Sequence, residues 1–97
     1  MIEATDVFEL FRKQRGDAIV LAGGLVGYRH WREHSTNPNR DAGGFVETMG
    51  ALGPAALGVA LALPDEQVVL FDSEGSLLMN LGVLATIADQ KPENFYH

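Results

Sequence analysis

The stretch QVVLFDSEGSLLMNLG, Gln67 to Gly82, carries the strongest fold signal in the chain. Its opening, QVVLF, is rich in β-branched and aromatic residues and reads as a strand. Asp72 to Ser76 form an acidic, glycine-bearing turn, and Ser76 to Gln90 (SLLMNLGVLATIADQ) reads as one helix with an apolar stripe. A strand that passes through a polar turn into a helix is half of a βαβ unit, so the rest of the chain is read for the other half.

That half lies upstream. Ala18 to Ala22 is a short, continuously apolar segment ending at the glycine pair Gly23 and Gly24, as expected of a parallel strand covered on both faces. Before it, Thr5 is read as an N-cap, Val7, Phe8, Leu10 and Phe11 follow at helical spacing, and Arg12, Lys13 and Arg15 suit the negative end of the helix dipole, with Gly16 as the stop. Gly27 to His34 reads as a short helix, Ser35 to Gly44 as loop, and FVET (Phe45–Thr48) as a short strand. Pro54 to Leu63 reads as a helix of small apolar residues that Pro64 ends, and KPENFYH as a turn leading into a further strand. Alternation of this kind predicts an α/β fold: a doubly wound parallel sheet with helices on both faces and right-handed crossovers.

Composition narrows the function classes. The 97 residues suit one domain, 46% hydrophobic and 21% charged, with a net charge of −6. An acidic chain without a basic cluster repels phosphate backbones, so nucleic acid is not an expected partner. There is no cysteine, the N-terminus is acidic where a signal peptide is basic, and the longest apolar run is far below the roughly 18 residues of a membrane span. The expectation is a cytoplasmic protein without a membrane partner.

In open parallel sheets ligands bind beyond the carboxyl ends of the strands. Two turns fall there: Ala22–Gly24, and DSEGS at Asp72–Ser76. Gly75 permits a tight turn, amides at a helix start attract anions, and a carboxylate beside them can hold a divalent cation that bridges to phosphate. Equally open is a simpler reading, in which Asp72 and Ser73 cap the helix and Glu74 is solvated. His30 and His34 stand at zinc-binding spacing, but Trp31 replaces the glutamate of the metalloprotease pattern and no third ligand is evident, so they read as ordinary surface histidines. Met49 and Met79 read as core fillers, and Asp6, Glu9, Asp17 and Glu93 as solvated. No nucleophile elbow or Ser-His-Asp order is present.

The segment ETMGALGPAALGVALALPDEQVVLFDSEGSLLMNLGVLATIADQKPENFYH resembles the diphosphate-binding domain of thiamine-diphosphate-dependent enzymes, in particular sulfopyruvate and phosphonopyruvate decarboxylases and acetolactate synthase-like proteins. The resemblance covers Phe45 to His97 well and the preceding residues loosely. It implies thiamine diphosphate and magnesium (Mg2+) as cofactors, with Glu74 on the metal-binding position and Ser73, Gly75 and Ser76 around the diphosphate. Met49 falls on the apolar residue that props the cofactor, Glu47 on a residue whose main-chain carbonyl meets the aminopyrimidine, and Gly23 and Gly24 on the other edge of the diphosphate pocket. Glu74 replaces aspartate, Ser73 replaces glycine and Glu47 replaces glycine. The metal arm is therefore one methylene longer, on a less permissive backbone.

The same resemblance implies a second metal ligand, an asparagine, beyond His97, with Asn94 in the turn before the last strand. It also implies an activating glutamate from a separate pyrimidine-binding domain or subunit. The expectation is a single, partial domain over 1–97, incomplete at its C-terminal side. No residue is assigned a catalytic role. The chain would be part of a homo- or hetero-oligomeric 2-oxo acid decarboxylase or carboligase, inactive alone. The alternatives are a non-catalytic interaction subunit that keeps the fold, and a flavodoxin-like domain for another phosphate ligand.

Overall fold

A computed structural model describes residues 1–42 and 48–97. Helix α1 (Ala4–Arg12) leads into strand β1 (Ile19–Ala22), helix α2 (Gly24–His34) and a 3-10 turn at Pro38–Arg40. Helix α3 (Leu52–Ala62), strand β2 (Val68–Phe71), helices α4 (Glu74–Leu78) and α5 (Gly82–Gln90) and strand β3 (Phe95–Tyr96) follow. The three strands are parallel in the order β1-β2-β3, with Ile19 opposite Val68 and Ala22 opposite Phe71. No helix among the described residues is long and apolar enough to cross a membrane.

The expected doubly wound arrangement follows from side-chain alternation. Leu21, Val68 and Leu70 point to one face and pack on Leu52, Ala56 and Ala60 of α3. Val20, Ala22 and Phe71 point to the other, against Phe8 of α1 and Trp31 of α2. Val20, Leu21 and Val68 are wholly buried, each contributing about 1.5–3 kcal/mol by burial. Phe71 receives Phe8 and Phe11 edge-on, at 4.9 and 5.1 Å between ring centroids. Small residues in α3 allow α5 to approach closely: a Cβ on Gly53 would lie 3.3 Å from Val83 Cγ1.

Several local expectations are corrected. Helix α1 begins at Ala4 with Glu3, not Thr5, at the cap position, and Gly16 lies beyond its end in the next turn. Helix α2 starts directly after Gly23, earlier than Gly27. Phe45 to Glu47 of the expected FVET strand lie outside the described residues, and Thr48 is in a bend. The helix expected over Ser76–Gln90 is two helices, broken at Met79–Leu81. Met49 and Met79 are not core fillers: 54% and 66% of their surface is exposed. His30 and His34 are half-buried and pack on the Phe8 ring, and Glu9 is likewise half-buried beside Arg12 and His34.

Arg15 departs most from expectation. It does not sit in the last turn of α1, which ends at Arg12, and it is buried, at 2% exposed. Its Nε donates to Ala18 O (3.2 Å), Nη1 to Ser35 Oγ (3.0 Å) and Nη2 to Asp41 Oδ1 (2.8 Å), while the guanidinium lies 5.3 Å from the Trp31 ring centroid. Trp31 Nε1 donates to the same Asp41 oxygen and Ser35 Oγ to the other. Asp41 also makes a parallel bridge to Val20, and Ala42 N–H donates to Val20 O at 2.8 Å. The network thus pins the segment after α2 to the edge of β1 that faces away from β2. Removing one partner of such a pair leaves a buried charge without its counterion. Asp41→Ala is expected to cost about 3 kcal/mol in urea unfolding; a loss below about 1 kcal/mol would show that Arg15 is held by its other contacts.

Candidate functional site

The parallel register brings the two predicted turns together. Gly23 N–H donates to Phe71 O at 2.8 Å, continuing the β1–β2 pairing by one residue. Both chains then diverge, Gly23–Gly24 into α2 and Asp72–Ser73 into α4. The approach is close: a Cβ on Gly24 would stand 3.1 Å from Ser73 Cβ and one on Gly23 3.6 Å from Asp72 Oδ1, and the latter would also meet Leu52 Cδ2 of α3 at 2.3 Å. Side chains larger than hydrogen would fill the space between the turns.

That space is the floor of a cleft of about 600 Å³ at the carboxyl ends of β1 and β2, of ordinary size for a small-molecule or cofactor site. It brings together Gly23, Gly24, Met49, Ser73, Glu74 and Ser76 of the sequence-predicted set. Gly75 lies beneath Met49, whose Cε would be 3.5 Å from a Cβ there. Glu47 lies outside the described residues. Phe8, Leu52 and Phe71 supply an apolar wall. Among the described lining residues, Asp72 and Glu74 are the only charged ones.

The acidic turn is internally ordered. Asp72 Oδ1 accepts from Ser73 N–H at 2.9 Å, and Ser73 Oγ accepts from Ser76 N–H at 3.3 Å, so Ser73 does cap α4. Glu74 is exposed at the cleft, with no ring of three or more metal-ligating side chains among the described residues. Helix α4 has only five residues, so little macrodipole backs its amides. Ser76 is 5% exposed and its Oγ accepts from Gly50 N–H at 2.9 Å. Asn94 is used structurally: its Nδ2 lies within hydrogen-bond distance of the carbonyls of Ala60, Leu63 and Glu66, in the turn before β3.

Sequence reading missed Asn80, whose Nδ2 donates to Gly50 O at 2.9 Å. The available signal was an amide side chain within an apolar helical run, a residue type that favours turns over helix interiors. Gly50 itself has φ +83°, and a Cβ would come within 3.2 Å of Asn80 Cβ. Gly50→Ala is expected to cost about 1–3 kcal/mol in urea unfolding. Gly58→Ala, with open space around the new methyl in the middle of α3, should stabilise by about 0.5–1 kcal/mol. Equal effects at the two sites would contradict the geometry of the Gly50 turn.

Comparison with known proteins identifies the family of the chain. Over 79 residues the chain is 46% identical to the acetolactate synthase isozyme 1 large subunit of Escherichia coli (strain K12), an alignment covering 77% of this chain and 14% of that protein. It is 46% identical over 69 residues to phosphonopyruvate decarboxylase of Streptomyces hygroscopicus, covering 68% of this chain and 16% of that one. Against the sulfopyruvate decarboxylase beta subunit of Methanothermobacter thermautotrophicus it is 46% identical over 57 residues, 57% of this chain and 31% of the subunit. The chain thus spans less than a third of the length of each of these relatives. Residues 24–96 match the model of the thiamine pyrophosphate enzyme C-terminal TPP binding domain, which is most of the chain; the match begins at Gly24 and includes the Met-Gly turn and DSEGS. The chain belongs to the thiamine pyrophosphate enzyme family, as its C-terminal TPP-binding domain.

Proposed function

We propose that the cleft holds thiamine diphosphate through a magnesium ion carried by Glu74, as the cofactor-binding part of a 2-oxo acid decarboxylase or carboligase. The observation that carries this reading is the charge of the lining. A diphosphate facing Asp72 and Glu74 alone would be repelled, and no lysine or arginine is among the described lining residues. A divalent cation reconciles the two sets of negative charge, and magnesium is commonly bound by one or two carboxylates plus phosphate oxygens. That the described residues form no group of three or more metal-ligating side chains is compatible with that mode, in which oxygens of the cofactor would share the coordination. The glycine floor at Gly23 and Gly24 lets main chain approach the diphosphate, with Ser73, Gly75 and Ser76 around it.

In this reading bound thiamine diphosphate supplies the carbon-centred nucleophile and electron sink that cleave the bond beside a 2-oxo acid's carbonyl. The chain's own part is to bind and orient. Glu74 neutralises the metal, Met49 props the apolar middle of the cofactor from its perch over Gly75, and Phe8, Leu52 and Phe71 exclude water from the wall of the cleft. The main-chain carbonyl of Glu47 is assigned to the aminopyrimidine. We assign residues 1–97 to one domain that supplies part of the machinery. A pyrimidine-binding domain or subunit would complete it within an oligomer, as the much greater length of the relatives supports. The word subunit in the name of the sulfopyruvate decarboxylase relative supports a hetero-oligomer in particular. The chain alone would then bind cofactor without turning over substrate.

Isothermal titration tests this. Thiamine diphosphate is expected to bind only when magnesium is present, and Glu74→Gln to weaken that binding at least about tenfold, the smaller loss associated with even outer-shell partners of a metal. No binding with magnesium, or a thermal shift by a flavin or nucleotide instead, would overturn the assignment. Binding that persists while a complementing pyrimidine-domain partner yields no decarboxylation would favour a non-catalytic subunit. That outcome would fit the longer metal arm at Glu74.

A further inference from the structure

Two hydrogen bonds from one short segment converge on a single glycine at the edge of the cleft. Gly50 N–H donates to Ser76 Oγ and Gly50 C=O accepts from Asn80 Nδ2, each at 2.9 Å. The first bond orients the peptide plane between Met49 and Gly50, and the second orients the plane between Gly50 and Ala51. Glycine is the residue whose φ and ψ are least restrained by its own side chain, so gripping both flanking planes removes the freedom it would otherwise have. Asn80 also packs there, since its Cβ lies 3.2 Å from where a Gly50 Cβ would be.

The grip matters for Met49. Its side chain has three rotatable bonds and is 54% exposed, so few neighbours hold it in place. Its backbone sets where it stands, which is over Gly75 and lining the cleft. Asn80 can reach Gly50 because the chain breaks between α4 and α5: Asn80 N–H donates to Leu77 O (3.0 Å) and Asn80 O accepts from Val83 N–H (3.1 Å), in a turn.

We propose that Asn80 is a positioning residue: by holding the Gly50 carbonyl it fixes Met49 against Gly75 and pre-shapes the cofactor cleft. The geometric part stands on the chain alone, and its consequence for affinity rests on the proposed thiamine diphosphate reading. Asn80→Asp keeps the shape, removes the N–H donor and sets a carboxylate against the Gly50 carbonyl.

The test uses the full chain with ¹³C-methyl-labelled methionine. In the unsubstituted protein the Met49 methyl should show a nuclear Overhauser contact with Gly75 Hα. In Asn80→Asp that contact should be lost while the melting temperature stays close to the original. Retention of the contact at full strength would overturn the proposal. Should the variant fail to fold, the unsubstituted chain still decides: Asn80 and Asn39 are both exposed, so the bond to Gly50 O alone should make the Asn80 side-chain amide protons exchange more slowly than those of Asn39, and equal rates would overturn it. With magnesium present, Asn80→Asp should weaken thiamine diphosphate about tenfold. Unchanged affinity beside tight binding by the unsubstituted protein would refute the cofactor role. No binding by either would instead refute the reading of the cleft, with the methyl contact still deciding what Asn80 does.

Discussion

The register between Ile19–Ala22 and Val68–Phe71 is the constraint on which the rest of the molecule depends. Parallel pairing puts the carboxyl ends of β1 and β2 side by side, and the bond from Gly23 N–H to Phe71 O carries that pairing to the last residue before both chains turn away. A one-residue slip would exchange the two faces of β1, setting Leu21 against the aromatic layer and Val20 and Ala22 against α3. It would also separate Gly23 from Asp72 and Gly24 from Ser73, and the cleft floor would no longer exist. The hydrophobic pattern that builds the core therefore also builds the site.

Two polar clusters support that frame, one shortly after α2 and one just before α3. In the first, Arg15, Ser35, Trp31 and Asp41 tie the segment after α2 to the edge of β1. A buried guanidinium loses its hydration, and here its hydrogen bonds to Ala18 O, Ser35 and Asp41 replace it. In the second, Ser76 and Asn80 hold Gly50, just before α3 begins. The second cluster presents Met49 to the cleft in a defined place, which is what pre-organisation of a binding site requires.

Much of this was legible beforehand because it is local. QVVLF announces a strand through β-branched and aromatic residues, and Pro64 announces the end of α3 through its missing donor. The acidic stretch announces the start of α4 through the capping side chain of Ser73, whereas Gly75, expected in a tight turn, lies inside that helix without a positive φ. What escaped is non-local. Arg15 looks like any cation after a helix until Asp41, 26 residues on, is folded against it. Trp31 stands in sequence between two histidines, whereas its burial at 3% depends on Phe8, Phe11 and Phe71, which other elements bring to it. Met49 and Met79 resemble core residues by type, yet both sit at a turn-to-turn contact where no layer covers them.

By itself, then, the sequence determined the alternation of strands and helices, the acidic and glycine-bearing character of the two turns, and the likeness to thiamine-diphosphate enzymes. These are properties of side-chain type and spacing along a few neighbouring residues. Only the tertiary structure decided that Gly23 abuts Leu52, that Met49 stands over Gly75, and that the helix after the acidic turn breaks so that Asn80 reaches Gly50. Each of those contacts joins residues far apart in the chain. Their energies exist only once the sheet register has brought them within van der Waals or hydrogen-bond range, so no local pattern records them.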